Sequence, residues 1–363
     1  MSILAFFLGF LIVVYTFISA TRTFVMPRSA RVWLTSFVFR VVLKLFSKIT
    51  KFLPTYEQRD ALMAMYAPLS LLFMVPAWLL FTTIGYTFMF WALGITPLLD
   101  AFVLSGSSIL TLGFATGDTL AHTLLAFSEA TVGLILVAML ISYLPTMYSA
   151  FATREKAVSL LEVRAGSPPT APELIWRLSA LTDESGLQGF WEKWEEWFTE
   201  IDENHTSLAA LVFFRSPQPQ QSWVTAAAAV LDAAALFQST VERPYSAYPN
   251  LVLRSGTVAL RHIADFFQVA YNPDPHFPAD PISVTRVEFD EAYDRLQSQG
   301  IALHPDRDDA WQNFAGWRVN YDSLLVALAR LTMAPDTPWL SDYTFVPVTS
   351  SAGRSGGALQ KVR

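Results

Sequence analysis

Apolar residues are unevenly spread along this chain. Ile3 to Ala20 is an uncharged run of 18 residues, close to the ~20 that a helix needs to cross ~30 Å of hydrocarbon, and it predicts a first transmembrane helix. Ala61 to Leu99 carries no charge over 39 residues, roughly twice one span, so one straight helix does not account for it. The pattern predicts a second span from about Met63 to Tyr86, with Pro68 and Pro76 as kink positions and Phe88, Phe90 and Trp91 at an aromatic interface. Thr119 to Tyr148 predicts a third, with Glu129 as its only acidic residue and Pro145 near its end. Asp100 to Asp118 lies between two spans and is too short to cross twice. It can descend as a short helix and return as extended chain where protein or a water-filled cavity satisfies its backbone.

Later, apolar and charged residues mix at helical spacing. Arg164 to Pro172 is a linker by its Gly and Pro content. Phe190, Trp191, Trp194, Trp197 and Phe198 form a stripe at spacings of three and four, opposite Glu192, Lys193, Glu195 and Glu196. That stripe is read as core or subunit interface rather than a ligand cage. Trp223 to Phe237 is Ala-rich but short and interrupted by Asp232, which predicts a buried helix rather than a fourth span. Further helices are expected at Leu251–Tyr271, Thr285–Gln299 and Asp308–Thr332, and the fold class is all-α.

Charge adds sidedness. Residues 1–156 hold ten Lys and Arg against six Asp and Glu, net +4, while the remainder holds 15 against 25, net −10. Between residues 22 and 59 eight cations face one acid, Glu57. The positive-inside rule places that segment in the cytoplasm and the N-terminus outside, and Arg154 and Lys156 after the third span put the second half on the cytoplasmic side as well. Within the basic segment Arg40, Lys44, Lys48 and Lys51 recur every three or four residues among apolar ones. This suits a helix in the inner interface with its cations toward lipid headgroups, or the cytoplasmic end of a bundle helix.

Composition also excludes. The acidic second half argues against a nucleic-acid partner, which would need clustered Lys and Arg. The absence of cysteine removes disulfides and thiolate sites. Met1 to Ile3 lack the basic n-region of a cleavable signal. His205, His262, His276 and His304 are scattered without metal-ligand spacing, and His122 reads as an interfacial polar residue. Asn204-His-Thr206 matches a glycosylation pattern, without meaning on a cytoplasmic side. There is no phosphate-binding Gly-rich loop and no nucleophile with a recognisable base, so an enzyme is not expected.

The informative run is Leu104-Ser-Gly-Ser-Ser-Ile-Leu-Thr-Leu-Gly-Phe-Ala-Thr-Gly-Asp118. It resembles the pore loop of bacterial two-transmembrane potassium channels, in which a Thr-Val-Gly-Tyr-Gly-Asp type motif follows a short pore helix. Thr111, Leu112, Gly113 and Phe114 match the first four motif positions; Gly117 and Asp118 match the last two if Ala115-Thr116 is an insertion. Without an insertion Ala115 stands where the family has its last filter glycine. Leu125 to Leu134 and Ile141 to Leu144 resemble the inner helix of these channels, and the resemblance covers roughly residues 62–150.

The resemblance implies a selectivity filter at Thr111, Leu112, Gly113, Phe114 and Ala115, an outer mouth at Thr116, Gly117 and Asp118, and Glu129 and Gly133 as pore or gating residues. Gly133 reads more readily as a site of close helix packing than as a hinge, and Glu129 equally as a structural residue behind the pore. The implied function is a homotetrameric cation channel in a bacterial plasma membrane, passing K+ or Na+, with no further cofactor. The competing reading is a membrane-anchored interaction protein with a degenerate, non-conducting loop. The implied organisation is an N-terminal span and basic helix (1–60), a pore domain (61–153), a helical cytoplasmic domain for assembly, gating or an unidentified partner or ligand (154–345) and a disordered tail (346–363).

Overall fold

A computed structural model describes residues 2–26 and 32–340, together with the backbone of 343–347 and 357–361. The architecture is all-α, as expected. Two short terminal strands, Tyr343–Pro347 and Gly357–Lys361, pair antiparallel. The rest of the expected tail lies outside the described residues. The chain divides into two compact units, Met1–Ala150 with Ser207–Phe214, and Phe151–Thr206 with Arg215–Arg363. A short piece from later in the sequence, Ser207–Phe214, belongs to the first unit.

In the first unit, α1 (Ser2–Phe24) packs along α4 (Tyr66–Ala92). The buried face of α1 is Gly9, Val13, Thr16, Ser19 and Ala20, spaced three or four apart as one side of a helix requires. The two backbones touch at a pair of glycines. A Cβ on Gly9 would lie 2.3 Å from the Gly85 carbonyl oxygen, and one on Gly85 would lie 2.8 Å from that of Gly9. Small residues at a crossing let apolar helices approach until dispersion contacts replace the missing hydrophobic drive. Farther along, the buried Trp78 indole donates to the Ser19 hydroxyl at 3.2 Å.

Between them, α2 (Trp33–Thr50) buries Leu34, Val38, Val42 and Phe46 while Trp33, Phe37, Val41, Leu45 and Ile49 stay exposed. Then α3 (Tyr56–Ala64), capped by the Thr55 hydroxyl, stops one residue before α4. Pro68 falls in the first turn of α4, where a proline's missing N–H breaks no helical hydrogen bond. Pro76 sits within α4 without ending it. After α4 come the short α5 (Leu98–Ile109) and α6 (Leu120–Ala165). The helix α6 runs well past Tyr148, where the third span was expected to end, because neither Pro145 nor the charges from Arg154 onward supply a cap. Among the described residues, three stretches are long and apolar enough to cross a bilayer: Ser2–Phe24, Tyr56–Ala92 and Leu120–Ala165. Within this unit the 3-10 turn Ala209–Phe213 packs on α4, with the Phe213 ring edge-on to Tyr66 at 5.6 Å.

The second unit is built around one helix. After α7 (Ala171–Leu181) and α8 (Glu184–Ser207), α9 (Trp223–Thr240) is buried along almost its whole length. The helices α7, α10 (Tyr248–Phe267), α12 (Arg307–Arg318) and α13 (Asp322–Thr332) pack on α9, and α11 (Arg286–Ser298) packs on α7. The Ala-rich stretch is therefore a core helix, and its small side chains let several neighbours approach at once. The aromatic stripe of α8 is core as well: Phe190, Trp191, Trp194, Trp197 and Phe198 are buried, with the Trp194 and Trp197 rings 4.7 Å apart.

Two expectations need correction. The supposed linker is only a tight turn between α6 and α7, with Gly166 at φ +83. The helix expected over Asp308–Thr332 is two helices, because the Asn320 amide donates to the Gly316 and Trp317 carbonyls and so closes α12. Asparagine competes for backbone groups in this way and favours helix ends. By contrast, the start expected at Thr285 is a full capping box with Glu288.

Candidate functional site

The segment singled out in the sequence is α5 and the loop Leu110–Thr119 leading to α6. A shared core of Val13, Tyr86, Met89, Phe90, Ala101 and Leu104 holds α5 to α1 and α4, with Ala115, Leu125 and Ala126 packed against it. Two polar contacts fix the inner side. Ser105, fully buried, reaches both the Thr83 carbonyl, at 3.1 Å, and a carboxylate oxygen of Glu129. Tyr86 and Ser128 hydroxyls meet at 3.0 Å. The second Glu129 oxygen is buried and accepts no hydrogen bond among the described residues.

Gly133 sets how far α5 reaches along α6. A Cβ there would stand 2.7 Å from the Ile109 carbonyl oxygen, so the C-terminal end of α5 lies directly against this position. Gly133 is thirteen residues into α6, about 20 Å along the axis at 1.5 Å per residue. The next ten residues carry the chain from this contact to the start of α6, where the Thr119 hydroxyl accepts from the His122 amide at 3.2 Å. Of the two roles open to Gly133, close packing is the one seen.

The loop is held at its two ends and open in its middle. The Ser107 carbonyl accepts from the Leu112 amide at 2.8 Å. The Ser107 hydroxyl accepts from the Ala115 amide at 3.0 Å and lies 3.3 Å from the Ala115 carbonyl. Gly117 lies so close to His122 that a Cβ would meet that side chain at 2.3 Å, while His122 reaches toward the Leu93 carbonyl at 3.4 Å. Thr111 and Gly113 both take positive φ, 55 and 72, a region glycine enters freely and threonine only under constraint. Among the described residues, nothing donates a hydrogen bond to the carbonyls of Thr111, Leu112, Gly113 or Phe114. Leu112 and Phe114 are 60% and 68% exposed, and Thr116 and Asp118 are exposed too.

Thus the structure brings Ala115 to Ser107, Gly117 to His122, Glu129 to Ser105 and Gly133 to Ile109, and leaves Thr111–Phe114 uncommitted. The face of α6 that is not packed on these partners, including Leu124, Phe127, Thr131, Leu134 and Ile141, is exposed in the single chain. Sequence reasoning did not find the Ser107 clasp. Its only trace there is a serine at the end of an apolar helix, which specifies no partner.

In the second unit two polar clusters are buried. Arg318, fully buried, donates to Asp232, to Asp322 at 2.8 Å, to Ser283 at 2.9 Å and to the Trp339 carbonyl at 2.7 Å. His205 Nδ1 donates to the Ile201 carbonyl at 2.9 Å, which leaves Nε2 to accept from Arg154 at 3.3 Å. Burial, with the Arg154 charge adding to it, holds the His205 imidazole well below its ordinary pKa.

No family model, no curated protein and no solved structure matches this chain.

Proposed function

We propose that the chain is one subunit of a homotetrameric cation channel, with α5 as pore helix and the carbonyls of Thr111, Leu112, Gly113 and Phe114 as the ion-coordinating row. The observation that carries the reading is the run of four uncommitted carbonyls. Backbone oxygens next to apolar spans must find partners. A permeant K+ or Na+ stripped of water, held by the same carbonyls from four copies, is such a partner. The positive φ at Thr111 and Gly113 supports it, since turning successive carbonyls to one side requires alternating backbone handedness. The negative end of the α5 dipole would favour a cation below the loop.

The open face of α6 and the exposed Leu112 and Phe114 would be covered by neighbouring copies. The exposed apolar row of α2, flanked by Arg40, Lys44 and Lys48, supports a helix lying in the headgroup layer. With the basic segment inside, the N-terminus is outside and the second unit cytoplasmic.

A second reading has one observation in its favour. The Ala115 carbonyl is turned to Ser107, so the row stops one position short of the family pattern, as a degenerate loop in a membrane-anchored interaction protein would. Cation flux into liposomes holding the purified protein separates the two. Wild-type flux that Gly113→Ala abolishes supports the channel, because an L-residue forced to φ +72 costs about 1–2 kcal/mol there. Well-folded protein without flux, or a monomer or dimer in mild detergent, refutes it.

A further inference from the structure

We propose that the cavity bounded by α7, α9, α11 and the Thr337–Trp339 segment binds a small organic cation, an ammonium or amidinium on an apolar body, through the free carboxylate oxygen of Asp232. The inference concerns the second unit alone and does not rest on the pore reading.

The cavity measures about 230 Å³, far above the ~10–15 Å³ that holds one water. Pro172, Ala229 and Trp339 give it apolar walls, while Asp232, Glu288, Glu291 and Arg295 supply charge, Glu288 being engaged by the Thr285 amide and hydroxyl. Arg295 is already engaged by Glu173, whereas Glu291 is exposed and makes no ion pair among the described residues. The field at the opening is therefore negative.

The floor is more telling. One guanidinium, Arg318, faces two carboxylates, Asp232 and Asp322, and all three are nearly or fully buried. Asp322 is saturated: Oδ1 accepts from Arg318 at 2.8 Å and from the Ser283 hydroxyl at 2.6 Å, and Oδ2 accepts from the Ser283 amide at 3.0 Å. Asp232 is not. Arg318 and the Tyr321 hydroxyl both use its Oδ1, and Oδ2 accepts nothing among the described residues. Side-chain carboxylates at such burial are ordinarily paired in full. Burial pushes the Asp232 carboxyl above the usual carboxylate range even with Arg318 opposing it, as expected of a charge short of a partner.

Asp232 is only 3% exposed and lines the cavity, so a partner for its free oxygen arrives by that route. The same Arg318 fixes the apolar wall. Its Nη2 holds the carbonyl of Trp339, whose backbone sits at φ +68. A left-handed tryptophan persists only where its surroundings over-determine it. Charge and ring are thus set by one side chain, and a donor cation with an apolar flank matches both.

The test is calorimetric titration of the full-length protein in detergent with benzylamine and benzamidine, and with benzyl alcohol as the neutral counterpart. The amines are expected to bind at least about tenfold more tightly than the alcohol, the usual return on a charged hydrogen bond. Asp232→Asn should remove that preference and Glu291→Gln should weaken amine binding severalfold. Because Asp232→Asn can disturb the Arg318 cluster, Ala229→Leu serves as a second variant that fills the cavity and leaves every charge in place. Loss of amine binding in folded Ala229→Leu supports the site. No binding of either amine at about 10 mM, equal binding of amine and alcohol, or unchanged binding in Ala229→Leu overturns it.

Discussion

The Ile109 carbonyl rests on the bare Cα of Gly133, at a distance that leaves no room for a Cβ. Gly133→Ala is expected to push α5 off α6 and destabilise the fold by about 1–3 kcal/mol, the usual cost of an extra methyl in a filled contact. Gly106→Ala is the control: it lies on the same helix α5 with nothing within 4 Å, and is expected to leave stability unchanged or slightly raised. Melting curves of both variants in one detergent check the pair. Equal melting temperatures would show that α5 and α6 are not in register at these residues.

Ser105 has one hydroxyl proton and two acceptors within reach, the Glu129 carboxylate and the Thr83 carbonyl. Glu129→Gln supplies an N–H that can donate to Ser105, freeing the serine proton for Thr83. That variant is expected to fold as stably as the parent. Glu129→Ala leaves Ser105 the Thr83 carbonyl but empties buried space, and is expected to lose about 2 kcal/mol through the cavity it opens. Thermal unfolding of the two variants checks this. Equal damage from both would mean that the carboxylate itself is indispensable.

His205 gives the second unit a pH dependence of known sign. It is neutral when folded, whereas in the unfolded chain it takes up a proton near its ordinary pKa of about 6.5. Its contribution is therefore complete above pH ~6.5 and is lost as pH falls below it, by up to ~1.4 kcal/mol per pH unit until the folded pKa is reached. His205→Gln keeps an acceptor for Arg154 and does not titrate. Denaturant unfolding at pH values from about 5 to 7 should show a slope in the parent that the variant lacks, at most partly masked by carboxylates titrating lower.

Uncharged runs announced the three apolar stretches because crossing hydrocarbon is a constraint on composition, visible in any window of suitable length. Their ends were less legible. The third span was expected to end near Tyr148, shortly before charge returns at Arg154, but an end of hydrophobicity is not an end of helix, and α6 continues to Ala165 with Pro145 inside it. The division of Asp308–Thr332 was missed because one asparagine amide ends α12.

At the candidate site, Gly113 could be singled out because its backbone conformation is a property of one residue. The contacts around it could not. Ser107 and Ala115 are eight apart, Ser105 and Glu129 are 24, and Asp232 and Arg318 are 86. Such pairings are decided by packing rather than by any local pattern. Gly9 and Gly85 show the same thing in its plainest form, as each is an unremarked glycine in an apolar run until the other is placed beside it.

That crossing also has a mechanical meaning. Where two helix backbones touch without side chains between them, α1 cannot slide along α4 without first lifting away, because Val13 and Met89 close in on either side of the contact. Rotation about that point is closed as well, because the Trp78–Ser19 hydrogen bond and the Phe24–Trp78 ring contact hold the two helices together farther along. Gly9 and Gly85 therefore fix where α1 sits along α4, and Trp78 fixes the angle between their axes.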